Sequence, residues 1–177
     1  MSVTNRRFAV ATLLTGVIAG LVGLACIHLL HWIQALAWDM HSGTLLEAVS
    51  GASPARRVLN LVLGGILGAA SWFFLFRRSR AITSVSAAVG GTPMPPLRAT
   101  WHALTQVLIV GLGASVGREV APREMAAAFS AAAADRLGLT PENRRIIVAC
   151  GAGAGLAAVY SIPMSGAIYT LEILLVS

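Results

Sequence analysis

The sequence predicts an all-α protein that crosses a lipid bilayer several times. Three observations carry this. Charged residues are only 11% of the 177 and hydrophobic ones 56%. The chain holds four long stretches with no charge at all, and its cations sit singly or in pairs beside them. Soluble domains carry about 25% charged residues, so this deficit, with a mean hydropathy of +0.77, makes lipid the expected solvent. The net charge of +6 does not point to nucleic acid. All thirteen basic residues are Arg, placed where interfacial cations of membrane proteins lie.

The charge-free stretches are 8–38, 58–76, 99–117 and 146–171. Crossing a bilayer takes about 20 residues, so the second and third fit with little to spare. The first would run about 46 Å at a helical rise of about 1.5 Å per residue and must tilt or project. Its Arg6-Arg7-Phe8 start weakly resembles an export signal. An h-region of about 7–15 residues is much shorter than this run, however, so it reads as a membrane helix with a basic cytoplasmic flank. The fourth stretch contains Pro163 beside Ser161, Ser165 and Gly166, and proline breaks a helix by removing a donor and clashing with the preceding turn. Two pieces are expected there, and about six or seven helical pieces in all.

Shorter segments link these. Residues 125–134 are Ala-rich between Glu124 and Asp135, too short to cross alone. Thr140-Pro141-Glu142 has the order of a helix start: N-cap, proline at the first position, acid in the first turn. Residues 79–96 are turn-rich. Arg6 and Arg7 before the first helix and Arg77, Arg78 and Arg80 after the second fit a hairpin with both ends cytoplasmic. Arg56 and Arg57 dissent. Glycine pairs four apart (Gly16 and Gly20, Gly64 and Gly68, Gly151 and Gly155) suit close helix packing in lipid. No strand precedes the last pair, so a phosphate-binding loop is not expected. Cys26 and Cys150 lie in apolar runs and read as small hydrophobes, with no disulfide or metal site.

The chemistry concentrates at 111–122, where a glycine-rich helix end runs into Arg118 and Glu119, then Pro122. An acid between two apolar segments is costly and marks a functional site by default. A broken helix also presents backbone N–H groups and the positive end of its dipole to an anion. Two readings stay open from spacing alone: an anion site with Glu119 at its mouth, or an interfacial Arg–Glu pair in a loop. An intramembrane enzyme is not favoured. There is no HExxH motif or paired Asp, and His28, His31, His41 and His102 have no ligand spacing.

Gly117-Arg118-Glu119 with a nearby proline resembles the GREGP motif of the CLC (voltage-gated chloride channel) family. The run from Gly151 through Pro163 to Glu172 is similar to that family's small-residue helix, proline break and following helix. The resemblance covers 99–177 by motif and the first two helices by pattern. It implies one half of an inverted-repeat architecture with broken and tilted helices. Residues 1–177 would form a single transmembrane domain, with the second half absent. It also implies chloride or another small anion as substrate, no cofactor and no metal, and a homodimer of the complete protein paired through the region 146–171. Glu119 would be the gate, with Ser79, Gly117, Arg118, Val120 and Ala121 around the anion. Pro122, Pro163, Gly166 and Glu172 would be structural or mark helix breaks. The expected location is the cell membrane, as a multi-pass protein in contact with the bilayer.

Three departures bear on mechanism. The motif's proline falls one residue late, at Pro122, with Ala121 in its usual place. The family's serine loop, GSGIP, corresponds to 79–83, where Ser79 is the available hydroxyl, one position out of register. The second glutamate by which the family's exchangers pass protons inward is replaced by Ile173, which implies a channel-like mode or a different proton route. A non-conducting assembly protein, or a fragment of a chloride/proton exchanger, is the alternative reading.

Overall fold

The computed structural model describes residues 3–40, 43–77 and 82–175. Among the described residues eight α-helices run in chain order: α1 (Val3–Trp38), α2 (Leu45–Gly51), α3 (Pro54–Arg77), α4 (Val85–Val89), α5 (Pro96–Gly111), α6 (Val120–Arg136), α7 (Pro141–Tyr160) and α8 (Pro163–Tyr169). A π-helical turn, Thr170–Leu175, continues α8. No strand occurs among the described residues. The pieces outnumber the six or seven expected because α2 and α4 are short helices inside what reads as linker.

Among the described residues two helices, α1 and α3, are long and apolar enough to cross a membrane by length and composition. At 36 residues, α1 measures about 54 Å, well beyond a hydrocarbon layer of about 30 Å. Both expose large side chains, including Leu13, Val17 and Leu21 on α1 and Ile66, Phe73 and Phe74 on α3. Apolar surface on this scale calls for a lipid or protein partner. The first turns of α3 hold the end of α1: Arg56 Nε and Asn60 Nδ2 both donate to the Ala37 carbonyl, at 2.8 and 2.7 Å. Arg57 donates to Ser50 O and Ala52 O at the C-terminal end of α2. The two arginines that disturb the charge-based hairpin are thus engaged with backbone carbonyls that lack helical partners.

The third charge-free stretch is not one span. Helix α5 stops at Gly111 after 16 residues, about 24 Å. The Gly113 N–H bonds Val110 O and the Ala114 N–H bonds Ile109 O, both at 3.0 Å, the paired pattern of a glycine-closed helix end. Gly113 stands at φ +102°, where a side chain is disfavoured. Counting charges cannot detect this stop. The Ala-rich segment 125–134, in turn, belongs to the 17-residue α6.

The packing centre is the α6–α7 pair, with α1 lying against α5, α6 and α7. Small residues make this possible. Ala126, Ala127, Ala128 and Ala131 of α6 and Ala149 and Ala152 of α7 are essentially without solvent contact. A Cβ on Gly151 would lie 2.9 Å from Ala126 O, and one on Gly155 would lie 2.9 Å from Ala126 Cβ. Gly64 and Gly68 likewise meet Leu112 and Ile109. Gly16 and Gly20 behave differently from expectation: a Cβ at either meets nothing within 4 Å, because both border an open groove between α1, α7 and α8.

The predicted break near Pro163 is present. Helix α7 ends with Ser161 in the left-handed region at φ 56°, and Pro163 takes the first position of α8, where its missing N–H costs nothing. Thr140 caps α7, its Oγ1 accepting the Asn143 N–H at 3.3 Å.

Candidate functional site

The glycine-closed end of α5 releases the chain at Leu112, and α6 begins at Val120 with Glu119 as its N-cap. The loop turns again at Gly117, φ +81°. A side chain there would collide with the Glu119 carboxylate, whose Oε2 lies 2.6 Å from where a Cβ would stand. Glycine therefore makes room for the acid. Glu119 makes no side-chain cap to its own helix. Its Oε2 instead accepts a hydrogen bond from the Tyr160 hydroxyl at 3.1 Å, and the Arg118 guanidinium lies 5.0 Å from the centre of the same ring. The last turn of α7 and the first turn of α6 are thus joined through three polar side chains.

The backbone there has donors to offer. The first N–H groups of a helix have no intrahelical partner. Pro122, third in α6, contributes none, so Val120 and Ala121 supply the donors of this turn, while the Arg123 N–H reaches Glu119 O at 3.4 Å. Ala121 is 1% exposed, so its N–H is shielded from water, which strengthens any charge it meets. Behind Gly117, Arg118 and Ala121 is a cavity of about 10 Å³, lined also by Cys26, Leu30 and Gln106. That is close to the least volume that admits one water.

The remaining expected residues are dispersed. Ser79 lies outside the described residues, as do Arg78, Arg80 and His41. Just beyond that loop, Thr83 Oγ1 donates to Pro93 O at 2.9 Å and Ser84 caps α4. Gly166 serves packing: a Cβ there would come within 2.6 Å of Gly153 O. Glu172 is exposed on the π turn, and Ile173 beside it is 56% exposed. That turn returns along α7, with Thr170 Oγ1 near Ala149 O at 3.4 Å and Arg145 Nη2 donating to Leu175 O at 2.8 Å. Residues 145 and 160 are about 22 Å apart along a helix, so Glu119 and Glu172 lie towards opposite ends of α7.

Sequence reasoning missed the partners of α6's first turns. Glu124, 8% exposed, lies 2.7 Å from His102 Nδ1 on α5. Gln106 Nε2 is 3.1 Å from the same nitrogen, and the Trp72 ring centre is 6.0 Å from the imidazole. Arg123 Nη1 donates to Tyr169 OH at 3.2 Å. Each charge of this stretch therefore meets an aromatic or imidazole group from another helix: Glu119 with Tyr160, Arg123 with Tyr169, Glu124 with His102. An acid inside an Ala-rich helix was the available signal, but it does not name its partner.

An all-α membrane protein with a glycine-hinged, charged break between two packed helices is the class that this fold and site define. Residues 67–177 match the voltage gated chloride channel family, and the chain belongs to that family. Among curated proteins, it is 31% identical over 175 residues to the voltage-gated ClC-type chloride channel ClcB of Escherichia coli O81 (strain ED1a), covering 96% of this chain and 41% of that protein. The ClcB protein of Shigella boydii serotype 18 (strain CDC 3083-94 / BS512) is similar to the same extent. The chain thus spans about two fifths of the length of the curated relatives it matches. No solved structure matches it significantly.

Proposed function

We propose that this chain carries the gate of a chloride channel of the cell membrane, with Glu119 as the gating group and the start of α6 as the anion's resting place. One observation carries the reading most: the Glu119 carboxylate stands at the N-terminus of a buried helix without capping it. A carboxylate and a chloride ion compete for the same N–H groups, since each carries one negative charge and accepts hydrogen bonds. In this mechanism ionised Glu119 fills the mouth of the site. Protonation removes its charge, the side chain withdraws, and the anion takes the Val120 and Ala121 donors with Arg118 as nearby positive charge. Gly117 leaves the carboxylate room to move.

The printed names of the relatives, voltage-gated ClC-type chloride channels, support chloride as the ion. The exposed apolar faces of α1 and α3 support a multi-pass arrangement in the bilayer. Proton coupling is weak in this reading, because isoleucine at position 173 cannot carry a proton. The complete protein is a homodimer paired through the region 146–171, whose exposed Met164, Ile168 and Leu171 offer apolar contact. The test is chloride efflux from vesicles holding the protein purified with its native assembly partners, compared between the natural chain and Glu119→Gln. A conducting variant with little pH dependence supports the gate. A variant that keeps the natural pH response removes it, and no chloride efflux from either protein favours a non-conducting assembly role.

A further inference from the structure

We propose that Tyr160 is the latch of the gate: its hydroxyl holds the Glu119 carboxylate in the closed position. This rests on the reading of Glu119 as the gating group. The geometry is specific. Tyr160 is the last residue of α7, and the left-handed Ser161 and Pro163 end the helix just beyond it. Its ring therefore projects from a fixed stop towards the start of α6. The O–H donates to Glu119 Oε2 at 3.1 Å, and Arg118 lies over the ring at 5.0 Å. A cation above the ring draws electron density from the phenol and makes the O–H a better donor.

The direction of the effect follows from the chemistry. A hydrogen bond to a carboxylate is stronger than one between neutral groups, and the bound carboxylate is the one that fills the mouth of the site. Tyr160 therefore opposes opening. Among the described residues, Tyr160 of α7 bonds the carboxylate and Arg118 of its own loop lies over that ring; Cys26 of α1 and the neutral amide of Gln106 of α5 line the cavity behind Gly117 and Arg118. Tyr160 is a positioning residue: it touches the gate, and nothing requires it to touch the anion.

Tyr160→Phe removes one oxygen and keeps the ring under Arg118. The side chain is 38% exposed, so no buried polar group is orphaned. In vesicles holding the protein with its native partners, chloride efflux at neutral pH is expected to rise by up to about tenfold in Tyr160→Phe, the scale of losing a hydrogen bond to a charged group. In the Glu119→Gln background the same substitution is expected to change nothing, because no carboxylate is left to hold. A merely structural tyrosine would alter flux in both backgrounds. A second readout needs no flux. The infrared band of the Glu119 carboxylate, isolated by subtracting the Glu119→Gln spectrum, is expected to shift in frequency in Tyr160→Phe as its hydrogen bond is lost. Unchanged efflux or an unmoved band overturns the latch while leaving the gate intact. A natural pH response in Glu119→Gln alone overturns the gate, and the latch with it.

Discussion

Adding a single methyl group at position 155 tests the packing that places the proposed gate. A Cβ on Gly155 would stand 2.9 Å from Ala126 Cβ and 3.0 Å from the Pro122 carbonyl carbon, with the Pro122 oxygen closer still. Ordinary contact begins near 3.4 Å, so at least 0.4–0.5 Å must be recovered. None of these atoms can rotate away, because all are backbone or Cβ. Helix α6 must move from α7, and Pro122 lies three residues from Glu119. Overpacking of this kind costs about 1–3 kcal/mol. Alanine's better helix propensity returns about 1 kcal/mol, so Gly155→Ala is expected to destabilise by up to about 2 kcal/mol and to fall about 1–3 kcal/mol below a glycine-to-alanine change that meets no clash. Gly16→Ala is the control: its Cβ meets nothing within 4 Å, and propensity alone leaves it neutral or up to about 1 kcal/mol more stable. Denaturant unfolding in mild detergent, followed by helical circular dichroism, compares the two. Equal stability of Gly155→Ala and Gly16→Ala would refute the close α6–α7 approach.

Glu124→Ala leaves His102 without its hydrogen-bond partner and is expected to cost about 1–3 kcal/mol, the scale for an orphaned part-buried polar group; restoring much of that loss by also replacing His102 with Leu, seen in the same unfolding measurement, identifies the pair as the cause. In the proposed reading, where Ile173 takes the proton-passing place, a chloride gradient across vesicles is expected to drive little or no uphill proton movement, read with a pH-sensitive dye; robust coupling would require another acid, such as Glu172. Cysteines introduced singly at Met164 or Ile168 are expected to cross-link between two copies of the complete protein, and capture of monomers only would contradict the pairing surface.

Much of the fold was legible because its signals are local. The long α1, the Thr140 cap and the break at Pro163 each depend on residues within a turn or two of one another. The errors arose where a local count met a distant partner. The run 99–117 counts as one span, yet Gly113 ends the helix inside it by a backbone conformation that hydropathy does not register. Arg123 and Glu124 break the run that would have revealed α6, and their charges are tolerated only because Tyr169 and His102 come from α8 and α5. The small residues of α1 and α7 read alike, but Gly151 and Gly155 lie under α6 while Gly16 and Gly20 border an open groove. At the site, the sequence motif singled out Gly117, Arg118 and Glu119. Tyr160, 41 residues further along the chain, carries no signal until the fold brings α7 against α6.

The central claim, that Glu119 is a proton-released plug at the start of α6, is tested most directly by chloride efflux against pH in Glu119→Gln. The amide keeps the size of the side chain and removes its charge. Efflux at neutral pH is expected to equal or exceed that of the natural protein at acidic pH, with a nearly flat pH profile. Efflux that falls to zero, or that follows the natural pH curve, would contradict the account and make Glu119 a structural residue.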